Sequence, residues 1–209
     1  MDDMEEYTEI LARAAAASDL DFAGLLVYAY DRDNASKNLK LAACFHEASR
    51  RLLEQGQYRQ SAKAVYEGSV CLKDVGNQEV VELFARNAIN VFNRIHDAGF
   101  LIEDAKKNDV NSVPRNIGYA FGELNQHGYS RQTETAMAQA LERYTLDLCL
   151  ANYANRAVIM AKDSLDDDPD DDGPLNKASK NFLGNVAFWQ KVAARGVKPP
   201  TKSVDACAL

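Results

Sequence analysis

Apolar side chains recur every three to four residues along most of the chain, which is the spacing of an amphipathic α-helix. This pattern predicts a first helix over residues 3–17 and a second from Ser18 to about Asp31. The second starts with a capping serine that is followed by an acid three residues later. Its run from Phe22 to Tyr28 is apolar on all sides, so we expect this helix to be deeply buried.

The middle of the chain continues with three amphipathic helices, predicted over residues 36–55, 58–75 and 78–98. Either Asn34 or Ser36 can cap the first of the three, and Asn77 can cap the last. The positions that we expect to face inward are, in chain order, Leu41, Phe45, Ala48 and Leu52; Ala62, Val65, Cys71 and Leu72; and Val80, Val81, Phe84, Ala88, Val91, Phe92 and Ile95.

The second half of the chain is also predicted to be helical. A short helix covers residues 100–107, and another starts at Ser112 and Pro114. Residues 130–165 form either one long helix or two helices with a kink between Leu148 and Asn152. The remaining segments are predicted to be an acidic loop over 166–173, a last helix over 174–195 and a disordered tail over 197–209.

Two stretches in the first half of the chain correspond to each other with a shift of 43 residues, which places Gly56 on Gly99 and Ala62 on Ala105. Glycine adopts a left-handed helix end at little cost, so we expect each glycine to end a helix. A period of this length made of two helices is typical of a helical solenoid. We therefore predict a single all-α domain over residues 1–196, with about eight helices stacked as antiparallel hairpins in a short α-solenoid or an irregular bundle.

Charge and hydropathy narrow the classes of partner. The formal net charge is −7 and no extended basic run exists, which argues against nucleic acid as a partner. The longest apolar run, Phe22 to Tyr30, is too short to span a membrane, so we expect no membrane insertion. The acidic start of the chain is the opposite of a signal peptide's basic start, and this favours the cytoplasm as the location.

The four cysteines, Cys44, Cys71, Cys149 and Cys207, have neither metal-binding nor redox spacing. The first three lie inside apolar helical patterns. Thiols in such positions are commonly buried and inert, and we expect the same of these three.

The turn between the third and fourth helices has a recognisable pattern, in which Gly56 and Tyr58 precede the small residues Ser61 and Gly68. This pattern resembles the inter-helix turn of the tetratricopeptide repeat, although the helices are longer and in that respect more like those of the SNAP adaptor proteins. Small residues are needed where two helices cross closely. The resemblance covers roughly residues 41–75 and implies a scaffold that binds other proteins.

A second resemblance involves the microtubule-interacting and transport (MIT) domain. Its middle helix is similar to the stretch containing Asp33, Phe45, Ala48 and Leu52, and its third helix is similar to the stretch around Tyr66 and Leu72-Lys73. Both families use antiparallel helices to bind a partner helix or peptide. Each resemblance therefore implies an interaction module.

The acidic loop is the sharpest local chemical feature. Asp168, Asp170, Asp172 and Gly173 fit the start of a calcium-binding EF-hand loop, but Ser179 stands where its bidentate glutamate belongs. The same loop also resembles the aspartate-rich motif of helical isoprenoid synthases through Asp167, Asp168 and Asp171. A solvated acidic linker remains the preferred interpretation, and a metal-dependent helical enzyme that uses residues 166–172 is kept as a hypothesis.

Other candidate chemistry is sparse, and we predict no catalytic, cofactor-binding or metal-ligating residue and no enzyme activity. His46, His96 and His127 lie on helices or at their ends, where surface or capping roles are expected. Four aromatic residues are candidates to line a peptide groove, with core packing as their more usual role: Tyr58, Tyr66, Phe84 and Phe92.

The preferred function is a protein–protein interaction module or adaptor that binds a partner peptide, helix or subunit. The alternative is a structural subunit of a larger or self-associating assembly, in which residues 130–165 pack against other chains.

Overall fold

A computed structural model describes residues 2–32, 38–107, 112–125, 127, 130–151, 153–163, 165, 176–181 and 183–184. Within these residues the chain is helical and contains no strand, which confirms the all-α class. The helices are α1 (Asp3–Ala16), α2 (Asp19–Arg32), α3 (Leu39–Glu54), α4 (Tyr58–Cys71), α5 (Gln78–Asp97), α6 (Phe100–Ala105), α7 (Val113–Asn125), α8 (Arg131–Leu150) and α9 (Ala154–Asp163). Residues 176–181 are also helical.

The ends of several helices lie where the sequence predicted them. Gly56 and Gly99 have φ angles of 71° and 69°, so both adopt the left-handed conformation that a helix end favours. The side chain of Asn77 caps α5 by accepting hydrogen bonds from the N–H groups of its first turn. At the start of α2, Ser18 Oγ accepts the Asp21 N–H at 3.2 Å and donates to the Asp21 carboxylate at 2.7 Å.

The start of α3 differs from the prediction. Its cap is Asn38, whose side-chain oxygen accepts the Leu41 N–H at 2.8 Å. The predicted caps, Asn34 and Ser36, lie outside the described residues. Asn38 has a second role, because its amide donates to the Ala29 carbonyl of α2 at 3.2 Å. One buried side chain thus caps α3 and ties it to α2.

Residues 130–165 contain two helices, α8 and α9, so the second of the two sequence interpretations is correct. The chain leaves α8 after Leu150, and the Tyr153 N–H donates to the Leu148 carbonyl at 2.7 Å. Helix α9 then packs against both α8 and α7. The two helices therefore form a hairpin rather than a single long surface.

Helix α3 lies at the centre of the first half of the molecule. It packs against α1, α2, α4 and α5, while α4 continues to α7 and α5 to α8. All the inward positions predicted for α3, α4 and α5 are buried except Leu52, which is half-buried. No helix in the described part of the chain is long and apolar enough to cross a membrane.

The internal repeat is only partly kept in three dimensions. Its second copy retains the long first helix and the glycine turn, but α6 has 6 residues where α4 has 14. At the position that matches Ser61, the buried Asp104 accepts hydrogen bonds from Arg59 Nε and, at 2.6 Å, from the Val113 N–H. Asp104 thereby joins α6 to α4 and caps α7, so the second copy has acquired a different structural role.

Candidate interaction surface

Helix α2 is the element whose environment differs most from the prediction. We expected it to be deeply buried, and this expectation is wrong: Leu20 is 84 %, Val27 60 % and Tyr28 48 % exposed. In the described part of the chain, large apolar side chains this exposed occur on α2 alone. The reason is that, among the helices bounded above, only α3 packs substantially against α2.

An α-helix turns by about 100° per residue. The apolar residues of α2 therefore form two stripes on nearly opposite sides of the helix. The inner stripe faces α3 and is buried or half-buried; it consists of Phe22, Leu25, Leu26 and Ala29. The second stripe, called here the outer stripe, is exposed and consists of Leu20, Ala23, Gly24 and Val27. Both stripes have the i, i+3, i+4, i+7 spacing of a packing face, but only one of them is covered.

A small cavity separates α1 from α2 above α3, and we call it the α1–α2 cleft. Its volume is about 220 Å³. Its apolar lining is Ile10, Leu25, Ala29 and Cys44, and its polar and amphipathic lining is Glu6, Glu9, Arg13, Tyr28 and Lys40. At the rim of the cleft, Lys40 Nζ and Glu6 Oε1 form an ion pair at 3.7 Å.

Arg51 of α3 fixes where α1 ends and α2 begins. Its Nη2 donates to the carbonyls of Ala14 and Ala17 at 2.8 and 2.7 Å, and its Nη1 donates to Asp19 at 2.8 Å. The guanidinium also lies 4.7 Å from the ring centroid of Phe22, on the inner stripe. One side chain therefore satisfies the carbonyl end of α1 and holds the first turn of α2 against α3.

A buried carboxylate orients this arginine. Glu47 is 2 % exposed and accepts a hydrogen bond from Arg51 Nε at 2.8 Å and two from Arg50. Burial alone would raise the pKa of Glu47, but the hydrogen bonds from the two arginines hold it below the ordinary value. Through Arg51, this charged network joins the start of α2 to α3.

The four candidate groove aromatics do not line one groove. Phe84 and Phe92 are fully buried core residues, so the groove hypothesis is wrong for both. Tyr58 and Tyr66 are half-buried and pack against aromatic rings of α6 and α7 respectively. These rings hold helices together.

His46 is half-buried, so its predicted surface or capping role is wrong. Its Nδ1 lies 2.8 Å from the hydroxyl of the buried Tyr7, and its ring lies edge-on to Phe84 at a centroid distance of 5.9 Å. Burial lowers the pKa of His46 to about 4, so the ring is neutral near pH 7 and shares one hydrogen bond with the Tyr7 hydroxyl. His46 therefore links α1 to α3.

The other two histidines lie at or beyond helix ends. His96 is in the last turn of α5 and is hydrogen-bonded to Asp147 of α8. His127 follows α7, and burial lowers its pKa.

The cysteines of the helices behave as predicted. Cys44, Cys71 and Cys149 are buried free thiols, and Cys207 lies outside the described residues. Burial raises the pKa of Cys44 to about 11 and that of Cys71 to about 12, and it also raises the pKa of Cys149. The predicted burial is confirmed, and a thiol that stays protonated at neutral pH is a poor nucleophile, in agreement with the predicted inertness.

The candidate metal chemistry falls outside the part of the chain that the structure describes, since residues 166–173 are not among its residues. Ser179, at the position of the missing calcium ligand, is buried within the helical residues 176–181. Among the described residues, no group of three His, Cys, Asp or Glu side chains is placed to hold a metal ion. The enzyme hypothesis that rests on residues 166–172 stays a hypothesis.

A scan against models of known protein families gives no match, and searches among curated proteins and solved structures find no significantly similar chain. The tetratricopeptide-repeat and MIT-domain resemblances therefore stay predictions from sequence. Among the described residues, the most unusual feature of the surface is the outer stripe of α2.

Proposed function

We propose that this protein is an interaction module that binds a partner protein through the outer stripe of α2. The observation that carries the proposal is the concentration of exposed large apolar residues on this one helix. Single apolar residues on a surface are normal, whereas a contiguous apolar stripe at helical spacing is typical of a binding face. The adaptor function expected from the sequence is thus kept, with a specific surface assigned to it.

The attachment of α2 supports this assignment. Arg51 holds the start of α2 through a hydrogen bond to Asp19. Asn38 holds the last part of α2 through a hydrogen bond to the Ala29 carbonyl. A helix that is fixed at both ends loses little conformational entropy when a partner covers it, which favours affinity. The outer stripe is therefore presented on a preorganised element.

Self-association through the same stripe is the alternative function, and charge counts against it. Residues 2–32 carry eight acidic side chains and only two basic ones. A two-fold pairing of α2 with α2 would bring these like charges together, because an isologous interface places the same patch on both sides. A different protein that lacks this acidity avoids the repulsion.

Site-specific photo-crosslinking in the cells that make the protein tests the proposal. A benzophenone amino acid placed at Val27 is expected to form an adduct with another protein. The same group at Ala15, which is exposed on α1 away from the cleft, is the matched control and is expected to form none. An adduct with the mass of two copies of this chain would support the self-assembling subunit instead. Equal adducts at the two positions, or none at either, would contradict the proposal.

A further inference from the structure

The charge around the outer stripe points to the chemistry of the partner. The whole chain has a formal net charge of −7, and most of this excess lies within residues 2–32. In the described part of the chain, no basic side chain lies within ion-pair distance of Asp3, Glu5, Glu9 or Asp21. These carboxylates are available to attract a positively charged partner over a distance of about 8 Å at physiological salt.

The shape of the stripe points to a helix as the bound element. From Leu20 to Val27 the stripe extends about 10 Å along α2, which is two helical turns. Its middle consists of the small residues Ala23 and Gly24, and a Cβ atom at Gly24 would meet nothing within 4 Å. A partner backbone can approach closely there, as in ridge-and-groove packing of two helices. A partner that binds as an added β-strand would need the free edge of a sheet, and the described residues form no strand.

The α1–α2 cleft lies on the other side of α2 from the outer stripe, because Leu25 and Ala29 of the inner stripe line it. Its volume of about 220 Å³ lies below the range of about 300–1,000 Å³ that is usual for small-molecule sites. The cleft, whose rim has two acids and two bases, is therefore separate from the outer stripe and does not define the chemistry of the partner.

We infer that the partner's binding element is an amphipathic α-helix with a basic polar face. Its apolar face covers the outer stripe, while its lysines and arginines face the carboxylates of α1 and α2. The inference rests on the proposed function and adds to it the chemistry of the partner. A second copy of this chain does not meet the description, because its own α1–α2 region is acidic.

Three synthetic helical peptides of about 20 residues test the inference with the full-length chain. They share one leucine face and differ only in the polar positions, which are all lysine, all glutamine or all glutamate. Fluorescence anisotropy at low and at physiological salt gives the affinities. We expect the lysine peptide to bind about tenfold more tightly than the glutamine peptide, with the preference shrinking as salt rises. Backbone NMR shifts are expected to locate the site on α2.

Three variants, two single and one double, separate the apolar and the charge contributions. Val27→Ser is expected to weaken all three peptides, whereas Ala15→Ser on the far side of α1 leaves them unchanged. Glu5→Gln combined with Glu9→Gln is expected to remove most of the lysine preference and to leave binding of the glutamine peptide unchanged. Circular dichroism confirms that each variant keeps its helix content.

The possible outcomes distinguish this inference from the proposed function. If all three peptides bind alike and Val27→Ser abolishes binding, the basic partner is ruled out and the interaction module stands. A concentration-dependent dimer that Val27→Ser dissociates, seen by light scattering, would identify a second copy as the occupant and overturn the inference. If the peptides bind elsewhere or not at all, the oligomeric state does not respond to Val27→Ser, and crosslinking from position 27 does not exceed that from position 15, both proposals fail.

Discussion

At the scale of single residues, Gly68 shows how one position sets the spacing of three helices. A Cβ atom at this position would lie 2.5 Å from Phe84 Cζ of α5 and 3.0 Å from Phe45 Cβ of α3. Helix α4 therefore approaches its neighbours too closely for any side chain. The turn pattern around Gly56 had predicted a close crossing at this small residue, and the structure confirms it.

Replacing Gly68 by alanine is expected to destabilise the protein even though alanine is the better helix former. Overpacking of a core by one methyl group typically costs about 1–3 kcal/mol, against a helix-propensity gain of about 1 kcal/mol. Urea unfolding followed by circular dichroism measures the difference. Gly24→Ala is the control, since nothing lies within 4 Å of its Cβ and it is expected to stabilise the protein by about 0.5–1 kcal/mol. A Gly68→Ala variant that is more stable than the parent would contradict the close approach.

The buried histidine at the joint of α1 and α3 makes stability depend on pH. His46 has a folded-state pKa of about 4, below its ordinary value of 6.5. Burial is the main cause; the smaller effect of Glu47 raises the pKa, and that of Arg50 lowers it. The unfolded chain therefore binds this proton more readily than the folded one. The contribution of neutral His46 is complete above about pH 6.5 and is lost as the pH falls towards 4.

The variant His46→Asn isolates this contribution. Asparagine does not titrate, and its side-chain oxygen can still accept a hydrogen bond from Tyr7. The unfolding free energy of the parent relative to His46→Asn is expected to fall by up to about 3 kcal/mol between pH 6.5 and pH 4. Urea titrations at several pH values measure this difference in unfolding free energy. The contributions of groups that titrate alike in the two proteins cancel in it. A difference that stays constant with pH would show that His46 does not remain neutral in the fold.

At the scale of elements, α2 is held on α3 by its inner stripe and by Arg51, since α3 is the helix against which α2 packs substantially. Arg51→Met keeps most of the apolar stem and removes the donors to Ala14, Ala17 and Asp19. We expect a loss of about 2–4 kcal/mol together with faster amide hydrogen exchange throughout α2.

Arg50→Met is the matched control for this experiment. Arg50 also binds Glu47, but its hydrogen bonds go to Glu47 and Glu54 within α3 rather than to α1 or α2. Its replacement is expected to lower stability while leaving the exchange of α2 amides unchanged relative to the rest of the chain. Equal effects of the two variants on α2 would argue against the specific role of Arg51.

The elements also show why the sequence predicted some features and not others. Periodicity located the helices and the inward faces of α3, α4 and α5, because a helix with one apolar side has one way to bury it. In α2 the apolar residues lie on all sides of the helix axis. Sequence periodicity then does not show how many neighbouring helices will cover them. The small residues Ala23 and Gly24 were the available signal that one side is suited to a close partner. The role of Asp104 was equally hidden, because it depends on Arg59, which lies 45 residues earlier.

At the scale of the whole molecule, the two halves of the chain meet at a cluster of aromatic rings. Phe92 of α5 packs edge-on against Phe121 of α7, with a centroid distance of 4.9 Å, and against Tyr144 of α8 at 6.3 Å. All three rings are fully buried. This shared core supports the prediction of a single cooperative domain, which is still to be tested directly.

Phe92→Leu provides that test, because it weakens the junction without adding a polar group. We expect a loss of about 1–3 kcal/mol in the unfolding free energy. In a single cooperative domain, the most protected amides of α3 and of α9 exchange only through global unfolding, so their exchange free energies fall by the same amount. Native-state hydrogen exchange measured by NMR compares the two helices within one sample. If α3 keeps its protection while α9 loses it, the chain consists of two units that unfold independently. The outer stripe of α2 then belongs to the unit that can fold without the second half of the chain.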